Sequence, residues 1–288
     1  MKILVTSSTG LTGKAVVKAL AQSGHQVRAM VHRNDKAAEM EFLSATEIFT
    51  GDVSSQESVE QALTGVDMVY YICPTAREDE ADLGKMAVKA AQKSGIKRFI
   101  YQSVLHSVEP SLPHHRQKLE VERYLIDSGL PYTIVQPAPF MQNLMNAKQL
   151  LTECNIFMQK FFTSYESVNR LNLFDASDLG ECVAKIADSE QYCYATLELC
   201  GPQNLSVSEM LTDMSEALGK KEVKLEFITD EALADSMHKR GATQYAIDTL
   251  LSMFRHYNTG DFCGSSFTVR SILDRQPSSL SEFLRREI

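Results

Sequence analysis

Met1-Lys-Ile-Leu-Val-Thr-Ser-Ser-Thr-Gly-Leu-Thr-Gly-Lys14 opens the chain and decides its fold. Lys2 to Thr6 is a short apolar, β-branched run that reads as a buried strand. It breaks into small residues and then into a helical pattern, giving strand, tight loop, helix. Such a junction aims free backbone N–H groups and the positive end of a helix dipole at one point, where a pyrophosphate binds. Glycine is wanted where the loop turns, where phosphate approaches backbone, and where helix packs on strand. Gly10 and Gly13 hold the second and third places, and Ser7 holds the first. With Thr6, Ser8, Thr9, Leu11 and Thr12 they form the candidate phosphate loop, although a two-glycine loop alone also suits an ordinary helix entry.

Outward from the loop, Val16, Ala19 and Leu20 recur at helical spacing, and Gly24 stands where that helix should end. Gln26 to Val31 is a second strand. At its end a dinucleotide fold reads the adenosine ribose: a carboxylate about 20 residues past the glycines suits NAD, and a cation suits the 2′-phosphate of NADP. The chain there reads Val31-His-Arg-Asn-Asp-Lys36, so Arg33 and Lys36 favour NADP(H) over NAD(H). Arg33 has the alternative of a solvated surface charge, and Asp35 comes late and beside Lys36. Ala45 to Phe49 is a third strand, and Ser54-Ser-Gln-Glu57 has the spacing of a capping box. Gly51-Asp-Val53 lies where an adenine edge would rest, making Asp52 and Val53 cofactor candidates, with a helix cap as the alternative for Asp52.

Met68 to Ile72 is a continuous apolar run, as for a strand covered on both faces, and Cys73-Pro74 closes it near the nicotinamide ribose. Leu83, Met86, Ala87 and Ala90 form a helical stripe stopped by Gly95; Lys97 to Ser103 and Pro131 to Gln136 are the fifth and sixth strands. This alternation predicts an α/β, Rossmann-type doubly wound parallel sheet with helices on both faces and its ligand at the carboxyl ends of the strands.

The 288 residues, 44% hydrophobic and 23% charged, suffice for a large core. A net charge of -8 without a basic stripe argues against nucleic acid. No signal-like N-terminus and no apolar run of about 18 to 20 residues is present, so the expected setting is cytoplasmic, off the membrane. Cys73, Cys154, Cys182, Cys193, Cys200 and Cys263 form no metal-binding or redox pattern and read as buried free thiols.

The opening T-S-S-T-G-L-T-G, V-R-A-M-V-H-R-N from Val27, G-D-V from Gly51, H-H-R-Q-K-L-E-V-E-R-Y-L from His114 and G-L-P-Y-T-I-V-Q-P from Gly129 resemble the NmrA-like family of atypical short-chain dehydrogenase/reductases, closely over the first half. The resemblance implies an NAD(P)-binding Rossmann domain over 1–150, a smaller α+β substrate region over 151–288 packed against it, and a substrate cleft between them. Some elements of the second part are expected to return to the first. Members include NADPH-dependent quinone, azo-dye and triphenylmethane-dye reductases, and redox-sensing regulators that bind dinucleotide without known turnover.

Ordinary short-chain reductases carry Tyr-x-x-x-Lys on one helix, with the tyrosine as acid and the lysine on the nicotinamide ribose. Here the pattern is His114-His-Arg-Gln-Lys118, and four-residue spacing puts His114 and Lys118 on one face. His114 is the candidate proton donor, or a helix-start residue beside Pro113; Lys118 is the candidate ribose ligand, or a surface lysine paired with Glu122. His115 reads as a bystander. The partner hydroxyl would be Ser103, one place early, with Val104 where it is expected, so a full Ser-Tyr-Lys set is absent. In the family the segment from Pro137 passes the nicotinamide into the substrate cleft, which makes Pro137 a cofactor contact and Phe140 and Asn143 substrate contacts. Pro137 and Pro139 alone also explain a rigid turn.

Further on, Ile156 to Phe162 is aromatic-rich, a cleft wall or a piece of core. Asp175 and Asp178 read as helix caps and not as a metal pair; no metal is expected. Ser206-Val-Ser-Glu209 and Ser279-Leu-Ser-Glu282 are capping boxes, Val223 to Ile228 is a strand, and Gly241 to Phe267, with Tyr245, Phe254, Tyr257 and Phe262, suits a lid. The reading is an NADPH-dependent oxidoreductase passing hydride to a small planar acceptor such as a quinone or azo compound, as monomer or homodimer. An NADP(H)-sensing binding protein with a regulatory protein partner and a nucleotide-sugar epimerase-like enzyme are the alternatives.

Overall fold

In the computed structural model, which describes residues 1–74, 76–145, 169–219 and 229–287, the apolar runs become strands β1 (Lys2–Val5), β2 (Gln26–Val31), β3 (Glu47–Thr50), β4 (Met68–Tyr71), β5 (Arg98–Gln102), β6 (Tyr132–Pro137), β7 (Arg170–Asn172), β8 (Ala195–Leu199) and β9 (Asn204–Ser206). Seven of them form one parallel sheet in the order β3-β2-β1-β4-β5-β6-β8, and β7 and β9 form a small antiparallel pair. The order reverses between β1 and β4, which opens a crevice at their carboxyl ends.

The helices are α1 (Leu11–Gln22), α2 (Ala37–Phe42), α3 (Gln56–Leu63), α4 (Glu80–Ser94), α5 (Pro113–Asp127), α6 (Gln142–Met145), α7 (Ala176–Asp188), α8 (Val207–Ala217), α9 (Asp230–Lys239), α10 (Gln244–Thr259), α11 (Phe267–Leu273) and α12 (Leu280–Glu287). Successive strand residues feed opposite faces: Ile3 and Val5 join a core with α1 and α7, and Leu4 joins one with α3, α4 and α5. The parallel strands are therefore covered on both sides, which is why they lack a polar alternation.

The C-terminal half is tied into this frame. β8 pairs with β6 as the seventh strand, and α7 lies on α1 so closely that a Cβ at Gly180 would stand 2.6 Å from the Ala15 carbonyl oxygen. Asp175 caps α7 through the Ser177 amide (2.9 Å) and accepts from Arg286 (2.8 Å). Asp178 is not a cap: its buried carboxylate takes the Ser278 amide (2.6 Å) and Arg275 (2.7 Å), holding the last turns of the chain. The capping boxes at Ser206 and Ser279 form. The one expected at Ser54 does not. Ser54 is drawn into a turn on Asp52 Oδ1 through its amide (2.8 Å) and hydroxyl (2.6 Å), so Ser55 caps α3.

The strand expected over Val223 to Ile228, the aromatic run from Ile156 to Phe162 and Cys154 lie outside the described residues. The other five cysteines are free. Among the described residues no helix is long and apolar enough to cross a membrane.

Ser7 takes the conformation of the glycine it replaces, with φ 46°. Its hydroxyl donates to the Ile72 carbonyl at 2.9 Å, tying the loop to the end of β4. Left-handed backbone costs a non-glycine residue about 1–2 kcal/mol, and one hydrogen bond returns about 1. Urea unfolding of Ser7→Gly should therefore stay within about 1 kcal/mol of the parent, whereas Ser7→Val, β-branched and without the hydroxyl, should fall at least about 2 kcal/mol below it. A Val variant as stable as the parent would mean the loop does not hold this backbone. Gly180→Ala gives a second check: despite about 1 kcal/mol of helix propensity, crowding against α1 should lower stability by about 1–3 kcal/mol. An increase would show that the two helices are not in such close contact.

Candidate functional site

A cavity of about 980 Å³ runs along the carboxyl ends of β1, β2, β4, β5 and β6, beneath α10. At one end stands the N-terminal loop. Thr6 and Ser8 turn their side chains inward: Thr6 Oγ1 donates to the Ile72 carbonyl (2.9 Å) and accepts the Ile72 amide (2.7 Å), and Ser8 Oγ donates to the Met30 carbonyl (2.7 Å). They brace the loop against β4 and β2. Ser7, Thr9, Gly10, Leu11 and Thr12 line the cavity. Gly13 lies beneath them, where an added Cβ would stand 2.7 Å from Ser8 Cα.

Gly10 is the extended N-cap of α1, no side chain caps the helix, and its first turn carries no acid. The amides of Leu11, Thr12 and Gly13 precede the first intrahelical bond and have no helical carbonyl to bond. Bare amides over a glycine cradle fit a pyrophosphate, and in this respect the residues present suit a dinucleotide.

Next come His32, Asp52, Val53 and Arg77. The Ser54 hydroxyl and amide on Asp52 hold its carboxyl below the usual range. Arg77, which no motif singled out, is fixed by a two-pronged pair with Asp79 at 2.7 Å. Arg33 and Lys36 do not line the cavity. Arg33 is two-thirds exposed and pairs with Asp35 at 3.0 Å, and Lys36 ends an exposed turn of 3-10 helix. Cys73 and Pro74 border the middle. Burial, with Glu80 nearby, pushes the Cys73 thiol up to about 12, so it stays protonated and is no nucleophile near neutrality.

The far end holds a buried charge cluster. His114 and Lys118 share one face of α5, and between them comes Glu80, the first residue of α4, with no exposed surface. Glu80 Oε2 lies 3.0 Å from His114 Nδ1 and Oε1 lies 2.7 Å from Lys118 Nζ. Lys118 also donates to the Gln102 carbonyl (3.0 Å) and stands over the Tyr101 ring. Burial opposes charge on Glu80, but Lys118 and His114 outweigh it and hold the carboxyl below its usual range. Lys118 is thus a buried lysine paired with Glu80, not a surface lysine paired with Glu122.

Glu122 serves Ser103 instead. The Ser103 hydroxyl, at the cavity edge, donates to Glu122 Oε1, which also accepts from Gln136 at 2.9 Å. Sequence reasoning missed Glu80, which sits 34 residues before His114 among other first-turn acids. The available signal was indirect: a His and a Lys both facing the protein interior need a carboxylate from elsewhere.

The remaining wall is apolar and aromatic. Pro137, Phe140 and Asn143 line it from the β6 exit; Leu250, Met253, Phe254 and Tyr257 line it from α10, followed by Phe262. Tyr245, expected in this lid, is not part of the lining. His115 is no bystander. It is 2% exposed, lines the cavity and meets the Phe262 ring edge-on at 6.2 Å. Burial, with help from the neighbouring His114, His256 and His106, pushes it down to about 3, so it is a neutral wall residue. Among the described residues no group of three or more His, Cys, Asp or Glu side chains is placed to hold a metal ion.

The sequence is 25% identical over 284 residues to the NAD(P)H azoreductase of Xenophilus azovorans, covering 98% of this chain and 96% of that protein. Among solved structures, the NADPH complex of the NADPH-dependent quinone oxidoreductase from Escherichia coli matches with a TM-score of 0.82 at 19% identity, covering 99% of both chains. The NADP complex of NmrA, a negative transcriptional regulator, matches with a TM-score of 0.76 at 19% identity, over 99% of this chain and 94% of that one. The model of the NmrA-like family matches residues 1–284, and the chain belongs to that family.

Proposed function

We propose that the chain is an NADP(H)-dependent oxidoreductase that reduces a small planar electron acceptor of the quinone or azo class. One observation carries this reading: a single cavity joins the uncapped start of α1 to the Glu80–His114–Lys118 cluster, under a wall of proline, phenylalanine and methionine. The first end suits a pyrophosphate, the second a ribose and a proton transfer, and the wall a flat apolar ring.

A bound nicotinamide would supply the hydride. The protein's part is to hold, orient and exclude water. The amides of Leu11, Thr12 and Gly13 would carry the phosphates, and Asp52 and Val53 the adenine side. His32 on the cavity favours a 2′-phosphate, and no carboxylate from the end of β2 lines the cavity. Lys118 has three hydrogens. It is ion-paired with Glu80 and donates to the Gln102 carbonyl, and a further hydrogen would meet a ribose hydroxyl. Pro137, Phe140 and Asn143 would confine the acceptor. His114 would give a proton or hydrogen bond to the oxygen or nitrogen that gains charge. A quinone or azo bond is already electron-poor, so it needs less acid assistance than a ketone.

The second reading, an NADP(H)-sensing regulatory protein without turnover, is favoured by the incomplete acid set, with His114 at the tyrosine's place. Calorimetric titration with NADPH, NADP and NADH, followed by NADPH oxidation with simple quinones and azo dyes, separates the two. The reductase reading expects NADPH to bind more tightly than NADH and acceptor to drive its oxidation. Binding without oxidation across the panel would leave the sensor, and absence of binding would remove both. In the active protein, His114→Ala should cut turnover about 100-fold or more while NADPH affinity stays nearly the same. Unchanged rates with several acceptors would take His114 out of the mechanism.

A further inference from the structure

We infer that Glu80 is a positioning residue for His114: by accepting the Nδ1 hydrogen it fixes the ring's tautomer and leaves Nε2 as the only nitrogen that exchanges a proton with the cavity. The assignment rests on the oxidoreductase reading for its use, but not for its geometry. An ionised carboxylate only accepts hydrogen bonds, so the nitrogen 3.0 Å from Glu80 Oε2 must carry hydrogen. Glu80 is kept ionised at two levels. Lys118 lies on its other oxygen, and its place as first residue of α4 sets it in the positive end of that helix dipole.

The two oxygens have different partners, so the carboxylate cannot turn away from His114 without giving up Lys118. Lys118 in turn is held by the Gln102 carbonyl at the end of β5. One carboxylate from α4 thus sets two side chains a turn apart on α5, and the strand below holds the arrangement in register. The other ring nearest His114 is His115, edge-on at 5.9 Å and neutral, which offers Nδ1 no competing charge.

The tautomer is readable in the unmodified protein, loaded or unloaded. In ¹⁵N-labelled chain, long-range ¹H–¹⁵N correlation of the imidazoles, with His114 assigned through His114→Gln, should show hydrogen on Nδ1 at every pH from about 6 to 9. A bare Nδ1 at any pH in that range overturns the inference. Glu80→Gln supplies the second arm. With NADPH and a quinone, kcat should fall about 10- to 100-fold and the pH profile of kcat should move, with a smaller change in the acceptor's KM. An unchanged kcat and profile would also overturn it. If the parent shows no turnover, the reductase reading fails, and the tautomer measurement still decides the role of Glu80. If Glu80→Gln does not fold, the parent spectrum decides alone.

Discussion

The first turn of α1 rests directly on the backbone of Ser7 and Ser8, and this approach is possible because residue 13 has no side chain. Much of the molecule follows from that contact. It fixes the angle at which α1 leaves β1, so that bare amides point over the carboxyl edge of the sheet. α7 then packs on α1 through Gly180, and its close fit brings the C-terminal half back onto the Rossmann frame. β8 follows α7 and closes the sheet beside β6. Further along the chain, α10 lines the crevice.

Opposite the loop, the interior is charged. Placing an ion in a protein interior costs several kcal/mol even after relaxation, and such groups persist where each is paired and hydrogen-bonded. Glu80, His114 and Lys118 meet that condition jointly, and removing one partner would strand the others at a cost of about 3–5 kcal/mol. Glu122 meets it differently, through the Ser103 hydroxyl and the Gln136 amide. Glu80 comes from α4 and serves His114 and Lys118, while Glu122 comes from α5 itself and serves Ser103. His115 and Cys73 are kept uncharged by burial, so charge in this part of the cavity is concentrated on one cluster.

The parallel sheet was legible because a strand covered on both faces must be apolar throughout. The runs at Ile3 and Val69 are of that kind. The glycine pattern of the loop was legible too, including Ser7 in the glycine's place, since the requirement for a left-handed turn acts on one residue. The His114 and Lys118 spacing follows from the helical repeat alone. Less legible were the ends of elements. Ser54 and Ser55 are equivalent candidates as caps until Asp52 is seen to take Ser54 into its own turn. β8 was not anticipated as a seventh strand, because its exposed positions Thr196 and Glu198 break the apolar run at the sheet's edge.

By itself the sequence determined what depends on neighbours a few residues apart: strand and helix order, the uncapped glycine entry to α1, the capping boxes at Ser206 and Ser279, and the shared face of His114 and Lys118. Those features arise from steric limits and hydrogen bonds within one turn or one strand. Only the tertiary structure decided that Glu80 reaches both residues from 34 positions away, that Glu122 turns to Ser103, that Arg33 pairs outward with Asp35, and that His115 becomes a neutral wall beside Phe262. Each of these depends on which groups lose water together when α4, α5 and α10 pack. Desolvation is a property of the assembled neighbourhood, and no local pattern records it.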